Sequence, residues 1–440
     1  MGIKKKYLGL FAIGLILFAI FTTKIGFHDC YEYITIAKYF GGISNINLFS
    51  THSILYPLII GLFLKIVPTI LTIKLINVLW VFLIGIVLLC WLNKKWAFIL
   101  FATSPLTWFL SVQTTPVLPA SFFFLLSFIL FEKEIKYSKI YSALCLGLSI
   151  AFYTPMILIG GIFLLVYFWD KKCYDAFIYS VFLGIGFFPR LIVDYFFLGN
   201  PVYSIMRYFG TNFLISLGMN PNISGTYLTN ILGILLIFVG ISPLLFKLYS
   251  VDFKTYQKEI IFLALASAIL LIRTASLKYF FLISPIILIL LAKKLTKKEI
   301  KLHVLLSIVI IIFLCFGFFG QTRDVLMKQD LEQIFSEYPD RQIVAGPFEA
   351  NGFAALLWKN EPGIYWFMDY QAQVENKTEL KSYSFEFMPN IPIREKIVFS
   401  GEFIRPYPEQ SYENIIVVSE KQDLEGFNKI NCYESLCVYE

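Results

Sequence analysis

Three carboxylates in the apolar part of the chain are candidates for chemistry: Asp29, Glu32 and Asp194. The other seven acidic residues before position 321 lie in or beside lysine-rich segments: Glu132, Glu134, Asp170, Asp175, Asp252, Glu259 and Glu299. A carboxylate next to a long apolar stretch is costly if that stretch lies in a bilayer, so each of the three needs a reason. Either it is solvated at a helix end or it has a function, and Asp29 is the strongest functional candidate.

The apolar stretches around these carboxylates predict a polytopic α-helical membrane protein. The chain of 440 residues is 58% hydrophobic and only 15% charged, whereas soluble domains carry roughly a quarter charged residues. Its mean hydropathy is +0.72, and its apolar residues form blocks of about 15 to 23, the length that crosses a bilayer core. We expect about eleven transmembrane helices, near residues 7–23, 71–92, 96–113, 117–131, 139–154, 156–169, 175–191, 229–249, 259–273, 279–292 and 303–320.

The distribution of lysine and arginine predicts the orientation of these helices. Residues 1–320 contain 26 Lys and Arg against 10 Asp and Glu, and cytoplasmic loops of membrane proteins collect positive charge. Eighteen of the 26 lie in segments that we therefore assign to the cytoplasm: 4–6, 94–95, 133–139, 171–172, 247–258 and 293–301. We expect a multi-pass cell-membrane protein with a cytoplasmic N-terminus and with long loops outside the cytoplasm at 24–70 and 192–228.

One further apolar segment, Ser53–Val67, is long enough to suggest another transmembrane helix. Counting it as one would invert every later loop and put most lysine clusters outside. We therefore expect an interfacial helix in the first external loop, near the outer membrane surface. The odd number of transmembrane helices then places residues 321–440 outside the cytoplasm.

The first external loop resembles that of GT-C glycosyltransferases, because Asp29 follows the first apolar stretch and is followed by Tyr33 and Ala37. The most similar branch contains the protein O-mannosyltransferases (dolichyl-phosphate-mannose-protein mannosyltransferases) and the aminoarabinose transferases. Further stretches in the same order resemble other motifs of that family: His52–Leu58, Ser104-Pro105-Leu106, Pro189–Pro201 with its final Gly-Asn-Pro, and Lys278-Tyr279-Phe280 followed by Pro285. The resemblance covers roughly residues 5–300, which it implies are a transmembrane GT-C-like domain within 1–320.

The chain departs from the family's pattern at two positions that usually hold acidic residues. The external turn after the third predicted transmembrane helix is Gln113–Pro119 and contains no carboxylate, and Cys30 stands where a second acidic residue often follows the first. The Trp-Trp-Asp signature of oligosaccharyltransferases is also absent, which disfavours transfer of a whole oligosaccharide to asparagine. A divalent metal remains possible, and no cofactor is predicted with certainty.

The resemblance implies transfer of a sugar from a polyprenyl (dolichyl-type) phosphate to an acceptor hydroxyl on a protein or glycolipid, outside the cytoplasm. Asp29 would be the general base, and direct displacement would invert the anomeric centre. Glu32, Tyr33, Tyr56 and Asp194 are candidates for contact with the substrate. The alternative is that both tyrosines serve packing, and that Asp194 orients Arg190, four residues earlier on the same helical face.

The leaving phosphate gains negative charge and needs cations placed for it. Arg190 and Lys278 match family motifs at the predicted ends of transmembrane helices, and Arg273 is the next candidate. His52 could donate a hydrogen bond to the phosphate or the sugar. The alternative for each cation is snorkelling to lipid headgroups, and for His52 a polar residue at the membrane interface.

Residues 321–440 predict a small α/β domain outside the cytoplasm. The excess of acidic residues, 20 against 11 basic ones, separates this segment from the basic membrane part. A helix is expected over Asp324–Tyr338 and strands over Arg341–Ala345 and Asn414–Val418. If the segment lies outside the cytoplasm, a disulfide between Cys432 and Cys437 is possible, and the sequence leaves this open.

Two other classes of function compete with the enzyme. A transporter of lipid or solute would predict repeated halves and broken helices with polar groups at mid-membrane, and the sequence displays neither. A non-catalytic protein could use the same scaffold to bind a lipid-linked sugar. The positive charge follows the predicted topology, so we expect contact with membrane lipid and no nucleic-acid partner.

Overall fold

The computed structural model describes most of the chain. The described residues are 2–26, 29–43, 52–133, 135–169, 173–205, 208–209, 227–273, 277–345, 347–357, 364–366, 379–380, 405–406, 414–420 and 427–440. Helices dominate up to residue 337, and strands appear only after residue 341. This change of architecture follows the change of composition near residue 320.

The first ten helices lie before residue 200. They are α1 Gly2–Phe21, α2 Asp29–Phe40, α3 Leu55–Leu64, α4 Ile70–Ile86, α5 Lys95–Thr103, α6 Pro105–Ser111, α7 Val117–Glu132, α8 Ser138–Phe152, α9 Met156–Phe168 and α10 Cys173–Leu198. A π-helical turn, Val87–Trp91, extends α4. The later helices are α11 Tyr227–Ile241, α12 Gln257–Arg273, α13 Leu277–Phe280, α14 Ser284–Ala292, α15 Lys297–Phe318, α16 Arg323–Glu337 and α17 Pro347–Leu356, with a 3₁₀ helix at Leu245–Ser250.

Among the residues that the structure describes, three continuous helical segments are long and apolar enough to cross a membrane: Ile70–Trp91, Cys173–Leu198 and a window within Lys297–Glu337. Five shorter helices are also apolar: Leu55–Leu64, Val117–Glu132, Ser138–Phe152, Met156–Phe168 and Leu232–Ile241. These helices agree with a helical membrane protein. The number of about eleven transmembrane helices stays a prediction.

Among the described residues, three predicted transmembrane helices are interrupted, contrary to the expectation of continuous ones. In the segment 229–249, α11 ends at Ile241 and only a 3₁₀ helix follows, at Leu245–Ser250. The segment 96–113 is divided into α5 and α6, because Ser104 is extended and Pro105 begins a new helix. Proline suits the first position of a helix and cannot donate to the preceding turn. The hydroxyl of Ser104 donates to the carbonyl of Gly240 at 2.9 Å. The segment 279–292 is likewise divided, between α13 and α14.

Helix α3 falls within the apolar segment that the charge pattern assigned to the membrane surface. Its ten residues make a helix about 15 Å long, half the thickness of a bilayer core of about 30 Å. Gly61 lies against α2, since a Cβ atom there would be 2.4 Å from Cβ of Phe40 and 2.9 Å from the carbonyl oxygen of Ala37. The length of α3 agrees with a helix that does not cross, and its place at the interface stays a prediction.

Helices α8 and α10 cross at two glycines. A Cβ atom on Gly147 would be 2.1 Å from the carbonyl oxygen of Leu183, and one on Gly186 would be 2.2 Å from that of Leu144. Small residues at a helix crossing let the two backbones approach closely. The crossing brings the end of α8 close to the second half of α10, where Arg190 lies.

The C-terminal part contains the predicted helix and both predicted strands. Strands β1 Gln342–Ala345, β2 Ile364–Trp366, β5 Ile415–Ser419, β6 Lys429–Cys432 and β7 Cys437–Tyr439 form one sheet in the order β2-β1-β5-β7-β6. The first three are parallel to one another, and β5, β7 and β6 pair antiparallel. A second sheet pairs β3 Glu379–Leu380 with β4 Arg405–Pro406. The disulfide that the sequence left open joins Cys432 to Cys437.

Candidate functional site

Helix α2 begins at Asp29 and carries the two predicted residues Asp29 and Tyr33 one turn apart. Its first turn contains Asp29 and Glu32, and carboxylates there are favoured by the helix dipole. The approach to the helix needs a glycine, since a Cβ atom on Gly26 would be 2.3 Å from that of Cys30. Residues i and i+4 share a helical face, so Asp29 and Tyr33 point towards the same side of α2.

Lys278 on α13 forms an ion pair with Asp29, although the two residues are 249 positions apart. The ammonium group donates to Oδ2 of the carboxylate, and the side chains of Lys278 and Asp29 are 27% and 32% exposed. Burial acts to lower the pKa of Lys278, but Tyr279 and Asp29 outweigh burial and raise it above the usual value. The predicted base and a predicted phosphate ligand are therefore in direct contact, and both side chains are only partly buried.

Tyr33 lies behind this ion pair and is only 2% exposed. Burial raises the pKa of its hydroxyl well above the ordinary value, and the neighbouring Asp29, Glu32 and Tyr279 act in the same direction. The hydroxyl therefore stays protonated and can donate a hydrogen bond. The ring of Tyr279 stacks on Tyr153, with ring centres 6.1 Å apart.

His52 joins the same aromatic cluster. The centre of its ring is 5.6 Å from that of Tyr33 and 5.9 Å from that of Tyr208. His52 is partly exposed. Asp29 and His52, both predicted in the first external loop, thus meet Lys278 around four tyrosines. We call these the tyrosine cluster: Tyr33, Tyr153, Tyr208 and Tyr279.

Arg190 lies on the buried side of this cluster and interacts electrostatically with Tyr33 and Tyr208. The guanidinium group is fully buried. It donates to the hydroxyl of Thr154 at 2.8 Å and to that of Ser204 at 2.8 and 3.2 Å. Arg190 is therefore close to the predicted site, but its guanidinium group already donates hydrogen bonds to Thr154 and Ser204 of the same chain.

Asp194 forms the ion pair with Arg190 that the four-residue spacing predicted, with Nε and Oδ2 3.8 Å apart. Its Oδ2 also accepts hydrogen bonds from the hydroxyl and the backbone N–H of Ser204. Its Oδ1 is buried and has no hydrogen-bond partner among the residues that the structure describes. Asp194 holds Arg190 and Ser204 in place. None of these interactions involves Asp29.

Tyr56 is fully buried and belongs to a separate polar group. Its hydroxyl donates to Oδ1 of Asn77, and Nδ2 of Asn77 donates to the hydroxyl of Thr114 at 3.3 Å. Thr114 lies in the turn Gln113–Pro119 that contains no carboxylate, and Nε2 of the adjacent Gln113 is buried with no hydrogen-bond partner in the described part of the chain. These contacts agree with the structural role that the sequence left open for Tyr56.

Two other predicted residues are less informative. Glu32 is partly exposed next to the cluster, and its charge acts on the hydroxyl of Tyr33. Arg273 ends α12, but its side chain lies outside the described residues, so its predicted role stays a prediction.

Sequence reasoning missed the neutral side chains that complete the site. Tyr153, Tyr208, Thr154 and Ser204 carry no local signal, because the chain contains 26 tyrosines and many serines and threonines. Tyr279 stands beside Lys278 in a stretch that the resemblance had selected. Only the packing of distant helices distinguishes these residues from others of the same type.

An apolar cavity of about 460 Å³ lies between α11, the 3₁₀ helix, α12 and α14. Its lining includes Ile237, Phe238, Leu245, Leu263, Phe280 and Ile287. Phe280 is two residues after Lys278 on the short helix α13. The cavity and the ion pair thus each use one residue of the same short helix.

Within the part of the chain that the structure describes, no group of three or more His, Cys, Asp or Glu side chains is arranged to hold a metal ion. Comparisons with family models, with curated proteins and with solved structures found no match to this chain. The case for a function therefore depends on the residues themselves.

Proposed function

We propose that this protein is a membrane glycosyltransferase, which moves a sugar from a polyprenyl phosphate to an acceptor hydroxyl outside the cytoplasm. The ion pair between Asp29 and Lys278 carries this proposal. In this pair a proton acceptor, Asp29, lies against a cation, Lys278, and both side chains are partly exposed beside the buried hydroxyl of Tyr33. Transfer from a lipid phosphate needs these two groups together, one for the attacking hydroxyl and one for the leaving phosphate.

In the proposed reaction, the acceptor oxygen attacks the anomeric carbon while its proton passes to the carboxylate of Asp29. The bond between the anomeric carbon and the phosphate oxygen breaks, and its electron pair stays on the phosphate. A single displacement of this kind inverts the anomeric centre. A positioned general base typically contributes about 10² to 10⁴ in rate.

Lys278 has a second task in this mechanism, because the leaving phosphate develops negative charge beside it. An incoming phosphate competes with Asp29 for the ammonium group. When Lys278 turns to the phosphate, Oδ2 of Asp29 can accept the proton of the acceptor hydroxyl. The negative charge of the phosphate then replaces that of Asp29 and keeps the ammonium group charged.

The apolar cavity beside α13 supports a lipid donor. Its lining is almost wholly aliphatic and aromatic, and it includes Phe280, two residues after Lys278. A polyprenyl chain buried there would gain roughly 25 cal/mol for each Å² of apolar surface removed from water. Binding the tail in this cavity would bring the phosphate towards Lys278.

Arg190 would contact the phosphate only by giving up its hydrogen bonds to Ser204 and Thr154. In the proposal, Lys278 is therefore the first phosphate ligand and His52 the second. Arg190, paired with Asp194, supports Tyr33 and Tyr208 from the buried side. The hydroxyl of Tyr33 is a donor for the sugar or the phosphate.

A transfer assay tests the proposal. The purified chain in lipid nanodiscs is given a panel of polyprenyl-phosphate hexoses, and release of polyprenyl phosphate is measured. We expect turnover of at least one donor and, for Asp29→Asn, a loss of about 10² to 10⁴. Asp175→Asn is the matched control, since Asp175 is exposed in the first turn of α10. Full activity of Asp29→Asn would overturn the assignment of the base.

The interruption between α5 and α6 is a feature that the transporter hypothesis predicted. The same donors, offered to the chain in nanodiscs and in sealed vesicles, separate an enzyme from a transporter and from a binding protein. Passage of the intact lipid-linked sugar across vesicles without release of polyprenyl phosphate would favour a transporter. Saturable binding of the donor without turnover would favour a binding protein on this scaffold.

A further inference from the structure

The face of α2 opposite the proposed site is attached to the C-terminal domain. Asp324, in the first turn of α16, is 1% exposed. Its Oδ2 accepts a hydrogen bond from the backbone N–H of Ile25, and its Oδ1 accepts one from the hydroxyl of Tyr31, both at 2.6 Å. One carboxylate of the C-terminal domain thus holds the chain on both sides of Asp29.

The other end of α2 is attached by Lys38. Its ammonium group is nearly buried and donates to the carbonyl oxygens of Ala354 and Leu357, at the end of α17. The last carbonyls of a helix lack partners within the helix, and the dipole favours a cation there. Lys38 therefore acts as a side-chain cap on a helix of the C-terminal domain.

The geometry of α2 separates these attachments from the site. Successive residues are about 100° apart around an α-helix, so Tyr31 lies roughly 200° from Asp29. Tyr31 and Lys38 are seven residues apart and share a face, whereas Asp29 and Tyr33 share another. One face of α2 carries the proposed chemistry, and the other is bound at both ends by the C-terminal domain.

We propose that the C-terminal domain fixes the position of α2, with Asp324 as a positioning residue for Asp29. The catalytic part of this inference rests on the proposed glycosyltransferase function, whereas the attachment itself does not. The domain would then be a component of the site rather than an independent module for the acceptor. A proton acceptor must be held within about 0.5 Å of its productive position, which gives this attachment its purpose.

The chemistry of Asp324 makes the attachment specific. Burial and the adjacent Asp324 carboxylate raise the pKa of Tyr31, so its hydroxyl remains a donor. Asp324→Asn replaces one carboxylate oxygen with an N–H₂ group. That group would face one of the two donors, the N–H of Ile25 or the hydroxyl of Tyr31, and the hydrogen bond there would be lost. Tyr31→Phe removes one of the two hydrogen bonds without changing the charge.

Cys30 reports on the attachment without any assay of activity. It lies between Asp29 and Tyr31 and is 5% exposed, so alkylation requires α2 to move. The full chain in nanodiscs is treated with a membrane-impermeant maleimide, and labelling of the Cys30 peptide is followed by mass spectrometry. We expect Asp324→Asn to accelerate labelling by about tenfold or more, because a buried hydrogen bond to a charged group is lost. Tyr31→Phe and Lys38→Gln should act in the same direction with smaller factors.

Asp330→Asn is the matched control, because Asp330 is also buried and accepts hydrogen bonds from Ser435 and Leu436 within the C-terminal domain. We expect it to leave Cys30 protected. Equal labelling rates for Asp324→Asn, Tyr31→Phe and the parent chain would overturn the proposal. Equal acceleration by Asp330→Asn and Asp324→Asn would also overturn it, since general loosening of the domain would then be the cause.

The kinetic readout is the division between kcat and KM. Asp324→Asn should lower kcat for a polyprenyl-phosphate hexose and leave KM for this donor within about twofold, since Lys278 and the apolar cavity are unchanged. A raised KM with unchanged kcat would contradict a positioning role for Asp29. If the parent chain transfers no sugar, the proposed function fails, and the labelling of Cys30 still tests the attachment.

Discussion

The exposed ion pair between Asp29 and Lys278 and the buried pair between Arg190 and Asp194 are built in opposite ways. The first joins two distant chain segments, and both side chains are about a third exposed. The second lies within one turn of α10, and both side chains are fully buried. Thr154 and Ser204 supply further hydrogen bonds to the second pair alone.

The difference in burial indicates that the two ion pairs have different roles. An exposed pair is worth little to stability, because water screens the charges, and each partner can be exchanged for a ligand. A buried pair is hard to separate, because either charge alone would be left in an apolar environment. This difference supports the proposal that the Asp29–Lys278 pair serves chemistry and that the Arg190–Asp194 pair serves the architecture of the tyrosine cluster.

The strongest test of this comparison is the same substitution in both pairs. Asp194→Asn leaves the charge of Arg190 buried without a counter-ion, so we expect a loss of about 3 to 5 kcal/mol in the free energy of unfolding. Asp29→Asn should change it by no more than about 1 kcal/mol. The measurement is denaturant unfolding of the detergent-solubilised chain. Equal destabilisation by Asp194→Asn and Asp29→Asn would contradict the different roles given to the two ion pairs.

Lys278→Gln tests the chemical half of the comparison. We expect turnover of the lipid-linked sugar to fall by about 10² to 10³, the loss typical when one stabilising group is removed from a developing oxyanion. Stability should change by about 1 kcal/mol at most. Lys278→Arg retains the charge and serves as the matched control. Turnover of Lys278→Gln at the parental rate would remove this residue from the mechanism.

Gly186→Ala should weaken the buried pair alone. Its methyl group would meet the carbonyl oxygen of Leu144, so α8 and α10 must separate and Thr154 must withdraw from Arg190. Overpacking of this kind costs typically 1 to 3 kcal/mol. Gly184→Ala is the control on the same helix, because nothing lies within 4 Å of its added Cβ. A stable Gly186→Ala variant would show that the close crossing is unnecessary.

The smallest expected effect is that of alkaline pH on the exposed pair. A lysine whose pKa is raised in the folded state contributes stability that is fully present below its unfolded pKa, about 10.4. That contribution disappears as the pH rises through the higher folded pKa. Because the ammonium group of Lys278 stays protonated below this pKa, we also expect no loss of turnover attributable to Lys278 between pH 7 and about 9. A decline in this range that vanishes in Lys278→Arg would contradict the raised pKa.

The sequence predicted much of the C-terminal domain but little of the first external loop. Helix α16 and strands β1 and β5 were expected at nearly their observed positions, because alternation and helical spacing are local signals. Helix α2 was not predicted, although its residues were selected. It packs against α3, the next helix along the chain, and against α17, which lies far away in the sequence. The breaks before Pro105 and Pro285 were also missed, since apolar length alone does not reveal where a helix is interrupted.

The sequence by itself determined the class of protein, because the length of an apolar block is a local property that a bilayer measures directly. It also selected Asp29, His52, Arg190 and Lys278 as polar residues that need a reason. Only the tertiary structure decided that Lys278 reaches Asp29 and that Arg190 is enclosed by its neighbours. Those outcomes depend on how distant helices pack, and close crossings such as that of Gly147 and Gly186 set distances that no local pattern encodes.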